Sequence, residues 1–215
     1  MNVPSSIAAR EGWPYLGLAM AATIASAYFT DSVLLTTLCG LTVGWVFLLF
    51  RDPPRTVPVA PGAILSPADG RVVTIERARD PYANRDALRI SVFMSWFNAH
   101  SNRSSVDGVI RNVHYFPGRL VNVDLDAASA HNERNALVID SHGHIVTLAQ
   151  VAGWVARRIL CYVKPGDTLM RGQRFGFIRF GSRIDVYLPT DAVVNVAPGD
   201  KVHATTSILA TLPKP

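Results

Sequence analysis

No charged residue occurs from Tyr15 to Phe29 or from Val33 to Phe50, and only Thr30-Asp31-Ser32 separates these two apolar runs. A helix that is apolar on every face needs an apolar surrounding, so the runs predict a helical hairpin seated in a membrane. Each run is at the short end of the ~20 residues that cross a bilayer. A cleaved signal peptide is a poorer account, because the first run lacks a convincing basic leader and a second run follows at once. A buried helical pair in a soluble core is the other alternative. Trp13, Tyr15 and Tyr28 lie near the ends of the first run, where amphipathic aromatics favour an interface. Arg10 flanks one end of the pair, Arg51 and Arg55 flank the other, and Asp31 sits at the turn. The excess of cytoplasmic Arg and Lys around membrane segments then predicts an anchor over residues 1–50. Both its termini, and the domain that follows, lie on the cytoplasmic face of the cell membrane.

Charge divides the chain in the same place. Residues 1–50 carry a net −1 and the rest +6, within a total of +5 over 215 residues. The cations are 18 Arg and 3 Lys. Arg presents a planar fork suited to phosphate and carboxylate, and a basic body beside an apolar anchor suits an anionic membrane surface. Nucleic acid is the rival partner. It is disfavoured because the Arg residues are scattered among strand-like segments, without a recognition helix or an aromatic RNA-binding motif. Two cysteines, Cys39 and Cys161, in segments of different type, predict neither a disulfide framework nor a Cys-x-x-Cys metal site.

Residues 51–61 read as a linker in extended geometry, with prolines at 53, 54, 58 and 61. Beyond it come short β-rich runs at 63–65, 71–75, 88–93, 109–113, 136–139, 144–148 and 159–163, with 175–178 and 184–188 after them. Asp69-Gly70, Asp107-Gly108, Pro117-Gly118, His142-Gly143, Pro165-Gly166 and Pro198-Gly199 punctuate them. Residues 62–215 are therefore read as a mostly β domain, with one short helix at 127–134. Val163-Lys164-Pro165-Gly166-Asp167-Thr168-Leu169 echoes Val196-Ala197-Pro198-Gly199-Asp200-Lys201-Val202, an element found in lipoyl, biotinyl and other hybrid-barrel or hammerhead-like folds.

Chemistry centres on Arg179-Phe180-Gly181-Ser182-Arg183, which lies between two strand-like runs. A serine after a flexible glycine can carry its hydroxyl onto the glycine carbonyl if flanking strands hold the peptide. Phe50-Arg51-Asp52-Pro53, Ser66-Pro67-Ala68-Asp69-Gly70, Phe97-Asn98-Ala99-His100-Ser101-Asn102-Arg103, Asn132-Glu133-Arg134-Asn135 and Ala152-Gly153-Trp154-Val155-Ala156-Arg157-Arg158 accompany it in order. Together these motifs resemble those of the phosphatidylserine decarboxylases, short form, over most of residues 46–190. The resemblance implies self-cleavage between Gly181 and Ser182 into a β chain, 1–181, and an α chain, 182–215. It implies that Ser182 becomes a covalent pyruvoyl group, which takes the amine of phosphatidylserine as a Schiff base and draws in electrons as carbon dioxide leaves. The product is phosphatidylethanolamine.

A serine needs a base to become nucleophilic. The resemblance implies Asp69 and His100 as the acid and the imidazole that serve Ser182. Longer relatives carry a second histidine where this chain has Arg103, so that His100 serves both processing and decarboxylation or another histidine substitutes. Arg134, Arg157 and Arg158 are candidate contacts for the phosphate or carboxylate of the lipid, with a solvated basic face as the alternative. Pyridoxal phosphate is not expected, because Lys164, Lys201 and Lys214 lie in turns or the tail. No metal is expected either, since His142 and His144 lack a third ligand. The expected partners are the phospholipid, the membrane and the two chains of one precursor, and a homo-oligomer is compatible with all of this. From a different class, a membrane-anchored hammerhead-type carrier or adaptor would share the fold without catalysis, although no lysine stands in a carrier context.

Overall fold

The computed structural model describes residues 8–118, 132–153, 158–178 and 182–213. It divides into two compact units whose boundary, between Pro54 and Arg55, falls inside the proline-rich stretch. In the first unit a 3₁₀ turn, Arg10–Gly12, leads into α1, Trp13–Phe29, and α2, Val33–Leu49. Pro14 in the first turn of α1 and the Ser32 hydroxyl, which accepts from Leu35 N at 3.3 Å, set the two starts. The Ser26 and Thr36 hydroxyls meet at 3.0 Å near the turn. At the open end Tyr15 stacks on Phe50, and Gly12 lies so close to Phe50 that a methyl group there would stand 2.4 Å from the Phe50 Cβ. Each helix has 17 residues, about 26 Å of rise. Among the described residues, no helix is long and apolar enough to cross a membrane. The hairpin's outer surface is nonetheless apolar all round, with Leu18, Ile24, Tyr28, Phe29, Val33 and Leu34 each more than 60% exposed.

The second unit is mostly β. Its strands are β1 (Ala63–Leu65), β2 (Gly70–Asp80), β3 (Arg85–Met94), β4 (Ser101–Arg103), β5 (Gly108–Phe116), β6 (Arg134–Ser141) and β7 (His144–Ala152). They continue with β8 (Ile159–Cys161), β9 (Thr168–Leu169), β10 (Arg174–Ile178), β11 (Ser182–Leu188), β12 (Val193–Val194), β13 (Lys201–Val202) and β14 (Ile208–Thr211). A curled sheet runs in the order β13-β2-β3-β11-β7-β6-β5-β9, and two three-stranded sheets run β1-β14-β12 and β4-β10-β8. All described pairings between strands are antiparallel. The expected helix at 127–134 lies mostly outside the described residues, and its last member, Arg134, opens β6. The β6–β7 turn is the tight His142-Gly143 pair with positive φ at both residues, the geometry whose twist suits a two-residue hairpin.

Every residue of β11 is buried, so both faces of this strand are covered. Alternation sends Ile184, Val186 and Leu188 into the main core with Ile90 and Val92 of β3 and Val146 and Leu148 of β7. Each such aliphatic side chain contributes roughly 2 kcal/mol by leaving water. The other face carries Arg183, paired with Asp185 at 2.9 Å, and Tyr187, which packs in a small cluster with Ala87, Ala136 and Ala149. Burial, aided by the Asp185 charge, pushes the Tyr187 hydroxyl up to about 12, so that it stays neutral. A slip of one residue would exchange the two faces and drive a buried ion pair into the aliphatic core, which fixes the register.

The start of β2 lies against β3 without room for a side chain. A methyl group at Gly70 would stand 2.1 Å from the Phe93 carbonyl oxygen, which belongs to the backbone and cannot yield. Gly70→Ala is expected to lower stability by about 2–3 kcal/mol, read from the denaturant midpoint of the purified chain. An unchanged midpoint would contradict this packing.

Candidate active site

Ser182 is the first residue of β11 and is fully buried. Its register partners are Met94 at the end of β3 and Ala152 at the end of β7. Its hydroxyl points at the Met94 sulfur, 4.0 Å away. The strand core therefore turns polar at one end. Along the same face of β6 run Asn135, Leu137 and Ile139, and along β7 run Val146, Leu148 and Gln150. Asn135 Nδ2 donates to Gln150 Oε1 at 2.8 Å, and Gln150 Nε2 donates to Asn102 Oδ1 on β4 at 2.7 Å. Asn102 Nδ2 then donates to the Met94 sulfur at 3.7 Å. All three amide side chains are at most 1% exposed.

His100 precedes β4 and is 1% exposed. Its carbonyl accepts from Ile178 N, at the end of β10, and its ring lies 6.2 Å from that of Phe177. The segment is thereby stitched to the strand that leads towards residue 182. Arg103 is buried and donates to the Gly172 carbonyl at 2.8 Å.

The Asp69 turn runs beside the same segment. Arg103 N donates to the Pro67 carbonyl, and Leu65 N to that of Ser105. Among the described residues, however, the carboxylate of Asp69 meets other groups. Oδ2 accepts from Arg55 Nη2 at 2.6 Å, Oδ1 accepts from Ala204 N at 2.8 Å, and His203 Nδ1 stands 3.9 Å from Oδ1. Asp69 and His100 thus lie on adjoining backbone segments, and the imidazole of His203 stands beside the Asp69 carboxylate. Arg55 was read from sequence only as a flank of the hairpin, and Ala204 and His203 were not singled out. Arg55 sits in an extended linker, and the other two lie about 135 residues downstream.

Of the candidate headgroup contacts, Arg134 places its guanidinium 5.0 Å over the Phe116 ring, and Arg158 is exposed. Arg157, and Gly181 of the cleavage site, lie outside the described residues. Glu133, from the same motif as Arg134, accepts from the Tyr115 hydroxyl at 2.9 Å and from Ile159 N at 3.2 Å, while its carbonyl accepts from Ala152 N. Ala152 is the register partner of Ser182, so this motif braces one side of the β11 head.

The family model for phosphatidylserine decarboxylase matches residues 44–210. The chain belongs to the phosphatidylserine decarboxylase family. It is 58% identical to the phosphatidylserine decarboxylase proenzyme of Cupriavidus taiwanensis over 99% of both chains. The proenzymes of Polynucleobacter asymbioticus and Burkholderia mallei are each 54% identical, over 99% of this chain and 99% of the relative in the first case and 100% and 99% in the second. The family match takes in the motifs from Phe50-Arg51-Asp52-Pro53 to Ser182 and runs on to residue 210. It makes this an enzyme family.

The Arg55–Asp69 pair is mostly desolvated, with side chains 13% and 5% exposed. Removing one partner of such a pair leaves a buried charge unmatched. Arg55→Ala is expected to cost about 3 kcal/mol, and Arg55→Lys less, as measured by urea unfolding. Equal stability of Arg55→Ala and the unaltered chain would show that the pair is not a fixed part of the turn.

Proposed function

We propose that the chain is a precursor that cleaves itself between Gly181 and Ser182 and then decarboxylates phosphatidylserine to phosphatidylethanolamine. The observation that carries this reading is the position of Ser182, buried at the head of a strand clamped on both sides, within a family match over residues 44–210. In the first step the Ser182 oxygen bonds to the Gly181 carbonyl carbon and the carbon–nitrogen bond breaks, giving an ester and a free amine. Loss of the Ser182 Cα proton then breaks the Cβ–oxygen bond and releases Gly181 as a carboxylate. Tautomerisation and attack by water expel ammonia and leave a pyruvoyl terminus on residue 182.

His100 is the proposed proton carrier, since an imidazole takes and gives protons near neutral pH. Asp69 is the proposed acid of the same set, held in its turn by Arg55. The site suits a small carbonyl group. Ser182 is buried, its register partners are Met94 and Ala152, and the Met94 sulfur that its hydroxyl approaches also accepts from the Asn102 amide. Once formed, that carbonyl supplies the electron sink for loss of carbon dioxide. Arg134 and Arg158 are the proposed phosphate or carboxylate contacts, as is Arg157.

The hairpin is the proposed lipid anchor, with its flanking Arg residues on the cytoplasmic side. The support is its apolar surface on all faces together with the basic body. At about 26 Å of rise against ~30 Å of hydrocarbon, it suits a hairpin that dips into the bilayer from one side. In flotation with anionic vesicles the unaltered protein is expected to rise with the lipid. A Leu18→Asp/Leu41→Asp variant is expected to stay in the dense fraction while keeping its β-domain unfolding transition. Co-flotation of that variant would remove the anchor from this account.

Phosphatidylserine in mixed micelles tests the activity. The unaltered protein should release carbon dioxide and form phosphatidylethanolamine, and hydrazine should abolish this by consuming the carbonyl. His100→Ala should lose at least about 100-fold in rate, the usual worth of a positioned acid–base group, and His203→Ala should keep most of its activity. Full activity in His100→Ala with loss in His203→Ala would move the proton carrier to the imidazole beside Asp69.

A further inference from the structure

The three buried amides around Ser182 invite explanation, because an apolar strand end of the same shape would be as stable. Each buried amide left without a partner costs about 1–3 kcal/mol, whereas replacing both partners of a hydrogen bond by apolar groups is close to neutral. The chain of amides has a direction. Asn135 gives its N–H to the Gln150 oxygen, and Gln150 gives its N–H to the Asn102 oxygen. With its oxygen occupied, Asn102 must turn its NH₂ group towards Met94 and the β11 head. There it meets only a thioether among the described residues, and sulfur is a weak acceptor. The same sulfur is the group that the Ser182 hydroxyl approaches.

The chain also joins two sheets. Asn135 and Gln150 are cross-strand partners in the large sheet, while Asn102 belongs to β4. Gln150 reaches β4 past Gly176, where a methyl group would come within 2.8 Å of its Nε2. The amides are therefore held by strand register at one end and by a side-chain-free strand position at the other. Such a scaffold fixes orientation closely.

We propose that Asn135, Gln150 and Asn102 act as positioning residues for self-cleavage, keeping an under-used amide donor beside Ser182 for the oxygen that gains negative charge there. This rests on the self-cleavage reading above. A donor fixed before the charge develops needs no rearrangement when it appears, and it works in a site without competing water. Sulfur suits the resting state because it holds the donor weakly and releases it readily.

The test follows the precursor made in a cell-free translation reaction, with intact mass giving the rate of conversion to two chains and the unfolding midpoint measured on the same material. Asn102→Leu removes the donor, and Gln150→Met removes the strut that orients it with little change of volume. Both are expected to fold and to cleave more slowly, Asn102→Leu on the order of 100-fold and Gln150→Met about tenfold. The double variant should be no slower than Asn102→Leu alone, because the strut has nothing left to orient. Asn102→Gln, which keeps an amide donor, should recover part of the rate. Folded Asn102→Leu that cleaves as fast as the unaltered chain would overturn the proposal. So would failure of both single variants to fold, which would make the amides a folding element. If the unaltered chain itself does not cleave, it is the self-cleavage reading that fails.

Discussion

The constraint on which the β domain depends is the complete burial of β11. A strand paired on both edges and covered on both faces has no freedom of register. Its aliphatic side must meet the core, and its Arg183–Asp185 pair must stay on the other side. Ser182 inherits that rigidity as the first residue of the strand. A nucleophile poised on a neighbouring peptide bond gains most from such fixed geometry, since small misplacements cost large factors in rate. Strain in the peptide need not be invoked to see why the strand is built this way.

Around the strand head, motifs distant in sequence converge. The Asp69 turn adjoins the segment after His100 through the Arg103–Pro67 hydrogen bond. Asn102 of that segment reaches Gln150, and Gln150 reaches Asn135. Glu133 ties the strand next to Ser182 to β5 and β8. The buried amides Asn102, Gln150 and Asn135 thus gather at the end of the strand core where β11 begins, while Ile184, Val186 and Leu188 further along the same strand face are aliphatic. Arg103 serves as a buried donor to the Gly172 carbonyl, so the turn before β10 is part of the same construction.

Much of this was legible in the chain. The uncharged runs gave the hairpin because a 3.6-residue repeat without a polar face leaves few alternatives. The alternating runs gave most of the strands, and the motifs from Phe50 to Ser182 gave the family to which the chain belongs. What escaped was set by pairing at long range. The Met94–Ser182 contact spans 88 residues and follows from the β3–β11 register, which no local pattern encodes. Gln150 was passed over because the apolar run read as a strand stops at Leu148, while β7 continues to Ala152. A polar residue two places beyond the last core-facing residue of a strand was the available sign. The Arg55–Asp69 pair joins a linker to a turn, and neither has a periodicity to read.

The central claim is that the hydroxyl of residue 182 breaks its own upstream peptide bond. Intact-mass measurement of the purified chain, without any substrate, tests it most directly. The account predicts two species in equal amounts. The larger should end at Gly181, and the smaller should begin at residue 182 and be lighter by one ammonia than a fragment starting in serine, with Ser182→Ala remaining whole. A single full-length species from the unaltered chain, or a small fragment that begins in an intact serine, would contradict it.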